Sequence, residues 1–413
     1  MDKKKQGVLY VAFHFPPILG SSGVHRTLAF TRHLAENGWD VNVLTSSIKA
    51  YDNWSEQQFS FIPKNVKVIR AFARNAARSF SFKGKYLSWM AFPDNWQSWI
   101  VTGILSGLKS IWVNKPKIII STYPIASAHI IAYVLHKISG VPWVADLRDP
   151  MAQDDYPTDL RRKKLFEWIE KKAVKHCKYI LLTAPGAVEF YQQKFPHTPT
   201  SLWQLIPNGY DAEMLEDMPE NLPEYQGKVT LLHSGVIYPS ERDPSQFFEA
   251  LSELKAQGEI SSDNIEVVLR ASGHVKVFQP QLERLGLSDI VTLAPSIPYK
   301  QALTEMFEVN ALLLLQADNC DYQIPAKAYE YIRTKQPILA LTSAQGDTGQ
   351  LLSNAGVGLV APLTDKEKIK VKLGALLTQL RAGPTSNSLR QDITQYSRQY
   401  HARKLEEILE KVI

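Results

Sequence analysis

Short apolar runs alternating with segments of helical length, in two consecutive series, constrain this 413-residue chain more than any other feature. The first series of runs falls at 8–13, 41–44, 66–69, 118–121, 143–146 and 179–182, separated by helix-length stretches such as 24–36 and 127–137. The second falls at 230–233, 266–269, 291–293, 311–315, 338–341 and 358–360. Mostly apolar runs without strict alternation, joined by helices, predict parallel sheets covered on both faces. Between the series, Pro207-Asn208-Gly209-Tyr210-Asp211 is a turn signal, and the acidic, proline-bearing stretch to Gly227 has little periodicity. The expected organisation is two doubly wound α/β domains at 1–206 and 228–390, a linker at 207–227, and a last amphipathic helix at 391–413. Tyr396, Tyr400, Leu405, Ile408, Leu409 and Val412 would form the apolar side of that helix.

The balance of 45% hydrophobic and 21% charged residues reads as soluble and globular. Cys177 and Cys320 are the only cysteines, which excludes a disulfide framework or a cysteine-rich zinc site and points to the cytosol. Lys3, Lys4 and Lys5 ahead of an apolar run imitate a signal peptide, but His14, Pro16 and Pro17 end the run, so a first strand is expected instead. The stretch 100–113 is interrupted by Lys109, and no membrane-spanning segment is expected. Residues 1–206 carry 27 Lys and Arg against 14 Asp and Glu, a surplus of 13, whereas the remainder has 20 against 27. Between Glu56 and Asp94 the cations Lys64, Lys67, Arg70, Arg74, Arg78, Lys83 and Lys85 alternate with Phe72, Phe80, Phe82, Tyr86, Trp89 and Phe92, with no acid among them. Segment 64–92 suits an anionic lipid surface. A solvated basic loop fits the composition equally. A nucleic-acid patch ranks behind both, because no nucleic-acid-binding motif accompanies the charge.

Ligands of such sheets bind beyond the carboxyl ends of the strands, so the residues following each strand are the candidates. After the first run come Gly20 and Gly23, a turn at a helix N-terminus that an anion can approach; the spacing of a dinucleotide fingerprint is absent. The fifth run ends in Asp146, Leu147, Arg148 and Asp149, three charged groups that are costly to bury without partners or a ligand. In the second series, Gly235 precedes Arg242, which stands near a helix start where it can meet a diphosphate or pair with Glu241 or Asp243. Arg270 to Gly273 and Ser296, Ile297 and Pro298 follow later strands and frame a candidate base pocket. Ile324 and Pro325 lead into a helix on which Lys327 and Glu330, three apart, share one face, a pairing suited to a phosphate and a sugar hydroxyl. His129, on an apolar helix, reads as structural.

With these motifs together, the chain resembles a family-4 retaining glycosyltransferase of the GT-B fold over nearly its whole length. The resemblance rests on Phe15-Pro16-Pro17 with Gly23, Ser121-Thr122-Tyr123-Pro124, Asp146 to Pro150, Pro207-Asn208-Gly209, Gly235 with Arg242, and Ile324-Pro325-Ala326-Lys327 to Glu330-Tyr331. It implies two Rossmann-like domains facing across a cleft, the closing helix crossing back to the first. A nucleoside diphosphate sugar would lie mainly on the second domain and a glycan or lipid-linked acceptor on the first. Glu330 would take the ribose hydroxyls, Arg242 and Lys327 the diphosphate, and Asp146 and Asp149 would orient the acceptor, with Asp146, Arg148, Asp149 and Arg242 as the catalytic candidates. Gly20, Gly23, Gly235, Ser296, Ile297, Tyr322, Ile324 and Pro325 would line the donor site. The resemblance further implies no metal, no cofactor beyond the donor, no enzymic nucleophile, and work at the cytoplasmic face of a membrane. Tyr322 stands where the family often carries the first of two glutamates, Val236 where it carries an arginine, and Thr122-Tyr123 where some members place a histidine. An epimerase on the same fold and a catalytically silent binding protein are the alternatives.

Overall fold

The structure, a computed structural model, describes residues 6–19, 22–76, 92–154, 156–215, 218–219, 223–383 and 392–413. The chain divides into two compact units, Met1–Pro207 with Arg398–Ile413, and Asn208–Ser397.

In the first unit β1 (Gly7–Val11), β2 (Asp40–Ser46), β3 (Lys67–Ala71), β4 (Ile118–Thr122), β5 (Trp143–Arg148), β6 (Cys177–Leu182) and β7 (Trp203–Leu205) form one parallel sheet in the order 3-2-1-4-5-6-7. Strands β1, β4 and β5 are buried along their whole length, which is why their apolar residues run consecutively and do not alternate, with polar residues only toward the ends of β4 and β5. The helices are α1 (Ser22–Glu36), α2 (Ser98–Asn114), α3 (Ser127–Ser139), α4 (Leu160–His176) and α5 (Pro185–Lys194). Local chemistry sets their ends. The Asp159 carboxylate accepts from the Arg161 and Arg162 amides at the start of α4, and Gly140, at φ 72°, ends α3. Helix α2 presses on α3 through small residues: a Cβ at Gly103 would stand 2.7 Å from Ile131 Cδ1, and one at Gly107 2.6 Å from Leu135 Cδ1.

The closing helix, Arg398–Glu410, packs on α1 and buries Ala402, Leu405, Ile408 and Leu409 in the first unit's core. Glu406 fastens it, accepting from Trp39 Nε1 at 2.9 Å and pairing with His33 at 2.9 Å. This helix is shorter than its sequence pattern suggested. Thr394–Tyr396 is a separate 3-10 turn, and the Tyr396 ring meets Tyr329, 6.5 Å between centroids, in the second unit instead of joining the helix's apolar side.

The second unit repeats the plan. Its parallel sheet runs 10-9-8-11-12-13, built from β8 (Val229–Ser234), β9 (Ile265–Arg270), β10 (Val291–Ala294), β11 (Ala311–Leu315), β12 (Ile338–Leu341) and β13 (Gly358–Ala361). Around it lie α6 (Ser245–Ala256), α7 (Val275–Arg284), α8 (Tyr299–Glu308), α9 (Ala326–Thr334), α10 (Asp347–Asn354) and α11 (Lys366–Arg381). The segments that enter and leave this unit run side by side, with the Tyr210 amide donating to the Tyr396 carbonyl at 3.1 Å. Strand order reverses between β1 and β4 in one sheet and between β8 and β11 in the other, so each unit has one crevice where a ligand of such a sheet binds.

Candidate functional site

In the first unit the crevice is built around Asp146, near the end of β5. Its carboxylate is fully buried and accepts from Arg26 Nε at 3.1 Å and Nη2 at 3.0 Å, and from the Thr122 hydroxyl at 2.8 Å. Arg148 Nε stands 3.5 Å away and donates to the Thr122 oxygen at 3.1 Å. Burial alone would raise the Asp146 carboxyl, but the Arg26 and Arg148 guanidiniums overrule it and hold it below the usual carboxylate range. Arg26 also donates to the carbonyls of Ile206 and Pro207, at 2.9 and 2.8 Å, where the chain leaves the unit. Two arginines and one aspartate therefore form a closed framework. Arg148 itself sits at φ 65°, where the pairing of β5 with β6 gains one residue between Asp146 and Arg148, a strained backbone at the crevice edge.

Nearer the rim are Asp149, whose Oδ1 accepts from Thr183 at 3.0 Å and whose carboxyl is raised by burial, and His14, pushed down to about 4 by burial and by the Arg148 charge. His14 therefore stays neutral at physiological pH. The Gly23 carbonyl, in the first turn of α1, accepts from Arg148 Nη2 at 3.4 Å; Gly20 lies outside the described residues. His129 is structural, its Nδ1 2.8 Å from the Ser121 hydroxyl and its ring driven down to about 3 by burial.

In the second unit the crevice lies over the turn after β8. Gly235 has φ 115°, a conformation side chains rarely adopt, and a Cβ there would meet Lys327 Nζ at 3.0 Å. Lys327, in the first turn of α9, therefore lies directly over this turn. Its Nζ is 3.2 Å from His233 Nε2, while His233 Nδ1 is 2.9 Å from the Leu313 carbonyl. The carbonyl can only accept, so Nδ1 carries the proton and Nε2 accepts from the lysine. Burial, then the Lys327 charge, hold His233 well below its ordinary pKa. Burial and the neighbouring Arg242 charge, opposed by Glu330, bring Lys327 down to about 7.

Arg242 donates to the Val236 carbonyl at 2.7 Å and stacks over Tyr238, while Asp243 accepts from the Ser245 amide and hydroxyl just before α6. The pairing of Arg242 with Glu241 or Asp243 that the sequence left open is not the one adopted. One turn after Lys327, Glu330 is nearly buried and its Oε1 accepts from the Tyr299 hydroxyl at 2.7 Å. The Ser234 amide donates to the Tyr331 hydroxyl at 2.9 Å, fixing β8 to α9. Two cations, a glycine turn and an oriented carboxylate thus meet at one strand end, a set that can hold a diphosphate and a pair of hydroxyls.

The remaining expected residues surround this centre. Arg270 pairs with Glu305 and donates to the Pro295 carbonyl at 3.0 Å, which fixes the loop carrying exposed Ser296 and half-buried Ile297. Tyr322 lies in a loop braced from within by Gln316, whose Nε2 donates to the carbonyls of Cys320 and Gln323 at 2.6 and 3.0 Å. Ile324 and Pro325 lead into α9, with Pro325 extended at φ −64° just before it. Of segment 64–92, residues 77–91, with Arg78, Lys83 and Lys85, lie outside the described residues. Lys67 pairs with Asp40 at 3.1 Å, and Arg70 donates to the Pro16 carbonyl at 2.6 Å. Sequence reasoning missed Arg26, His233 and Tyr299. A signal existed for Arg26, which shares a helix face with Phe30 four residues on, and its guanidinium lies 4.6 Å from that ring.

The sequence matches no protein-family model and no curated protein. Solved structures do match it, as a GT-B fold. The chain is similar to Anabaena HepE in complex with UDP-glucose, with a TM-score of 0.66 and 13% identity over 98% of this chain and 99% of that one. It is similar to the lipopolysaccharide outer core galactosyltransferase WaaB, with a TM-score of 0.65 and 13% identity over 99% and 100% of the two chains. The UDP-GlcNAc 2-epimerase of Methanocaldococcus jannaschii matches with a TM-score of 0.56 and 10% identity over 98% and 100%.

Proposed function

We propose that the protein is a glycosyltransferase that moves a sugar from a nucleoside diphosphate sugar to a glycan or lipid-linked acceptor, with retention of configuration and without a metal. The observation that carries this reading is the placing of Lys327 and Arg242 over the Gly235 turn, with Glu330 one helical turn further on. As the bond between the sugar and the diphosphate breaks, the leaving group gains negative charge, and cations already in place favour that charge more than the ground state. Glu330, oriented by Tyr299, suits vicinal hydroxyls because an ionised carboxylate accepts from both. The UDP-glucose complex of HepE and the galactosyltransferase WaaB, on the same fold, support a nucleotide-sugar donor and a glycan acceptor.

In the first unit Asp149, nearer the rim, is the group proposed to meet the acceptor, with Arg148 part of the framework behind it. Asp146 acts through this framework as a positioning residue. The test is a panel of nucleoside diphosphate sugars assayed for nucleoside diphosphate release with and without membrane lipid extract. Release that requires the extract supports transfer. Release or epimer formation without any acceptor supports the epimerase reading, and nucleotide binding with no turnover supports a silent binding protein.

A further inference from the structure

Helix α2 is built inside out. A surface helix of a globular unit turns its large apolar residues inward and polar ones to water. Here the inward face carries Trp99, Gly103, Gly107, Ser110 and Ile111, while the outward one carries Val101, Leu105, Lys109, Trp112 and Val113. At about 100° per residue these five outward positions fall within an arc of about 120°. Val101, Leu105, Trp112 and Val113 are 65%, 64%, 69% and 70% exposed. Phe72, 52% exposed, adjoins the start of the stripe, since Thr102 donates to its carbonyl and the Arg74 amide donates to Ser98. A stripe of large apolar side chains left in water, interrupted only by Lys109, marks an interaction surface.

The charge around it identifies the occupant. The described residues of 57–145 hold eight Lys and Arg and one acid, Asp94. That acid faces its own unit, accepting from the Ser127 amide at 2.8 Å, the Ser127 hydroxyl at 2.9 Å and the Trp96 amide at 3.0 Å. Exposed Lys109 lies within the stripe, and exposed Lys115 and Lys117 follow its end. A second copy of the chain is a poor partner, because a two-fold interface would set these cations against their own counterparts with no acid between them. At 17 residues α2 is about 25 Å long, suited to lying in a headgroup layer, and no helix among the described residues is long and apolar enough to cross a membrane.

We propose that the outward face of α2 docks the first unit on a membrane rich in anionic lipid, with Leu105 and Trp112 inserted among the acyl chains and Arg74, Lys109, Lys115 and Lys117 on the phosphates. An indole suits that depth, having an apolar body and a polar edge. The inference stands on the first unit alone and holds whether or not the second binds a nucleotide sugar.

The full chain is sedimented with vesicles of phosphatidylcholine containing phosphatidylglycerol, and with phosphatidylcholine alone. The wild type is expected to partition to the anionic vesicles and to be released as salt rises. Leu105→Ser with Trp112→Ser should lower partitioning by about tenfold or more, with an unchanged thermal midpoint. Lys109→Glu with Lys115→Glu and Lys117→Glu, which changes only exposed charges, should abolish the preference for anionic vesicles. The proposal is overturned if the wild type ignores anionic vesicles at low salt or if both variants bind as the wild type does. It is equally overturned if the serine variant merely converts a dimer to a monomer without changing lipid binding.

Discussion

Each unit gathers cations at the end of a central strand, and the two gatherings differ in what surrounds the charge. In the first unit Arg26 and Arg148 close on the buried Asp146 carboxylate, with Thr122 completing its bonds. In the second, Arg242 donates to a backbone carbonyl and Lys327 to a neutral imidazole, so the charges are held in place but not neutralised by these partners. Burial first, and the Arg242 charge second, lower the Lys327 pKa. Cations closed on a buried carboxylate act as framework, whereas cations fixed by neutral groups hold space for an anion from outside.

The largest test of this contrast is Asp146→Asn, which would leave two arginines buried beside a neutral amide and should cost about 3–5 kcal/mol in urea unfolding. Unchanged stability with lost turnover would move Asp146 from framework to substrate contact. Lys327→Met and Glu330→Gln should each weaken calorimetric binding of a panel of nucleoside diphosphates by about 10- to 100-fold without lowering the melting temperature. Equal affinity in either variant removes that residue from the site.

Above about pH 7 the empty site loses the Lys327 proton, so diphosphate affinity should fall by up to about tenfold per pH unit, with proton uptake on binding seen in buffers of different ionisation heat. Stability moves the opposite way. Between about 7 and the ordinary 10.5 the unfolded chain holds the extra proton, so this lysine's penalty to folding fades as pH rises through that window. The smallest effect is Tyr299→Phe, a loss of one neutral-to-carboxylate hydrogen bond, expected to weaken nucleoside diphosphate binding by about two- to tenfold.

The alternation of apolar runs made both sheets legible because central strands buried on both faces are mostly apolar, with polar residues such as Thr122, Asp146 and Arg148 gathered toward their carboxyl ends. β7 escaped notice because it has only three residues, Trp203 to Leu205, directly after a 3-10 turn. The closing helix was overextended for a related reason: Tyr396 has the right spacing for its apolar face, but pairing of Tyr210 with the segment before Ser397 takes that residue away. At the second crevice, Gly235, Arg242, Lys327 and Glu330 were readable because each is near a strand end or helix start. Arg26 and His233 were not, since their partners lie 120 and 94 positions away in the chain. Pairing at that range is a product of the folded sheet, and an arginine on an amphipathic helix otherwise reads as solvent-facing. The glycines at 103 and 107 carried a signal in their spacing of four, the row that lets α2 approach α3 closely.

The return of the last helix to α1 sets an order of assembly during synthesis. Residues 208–397 are an insertion within the first unit, whose final element is made after the inserted unit is complete in sequence. On the ribosome the second unit can close its sheet while the apolar side of α1 still waits for Leu405 and Leu409. The first unit to begin is therefore the last to finish, and a chain halted before Arg398 would carry a finished inner module in an outer one whose core lies open to chaperones.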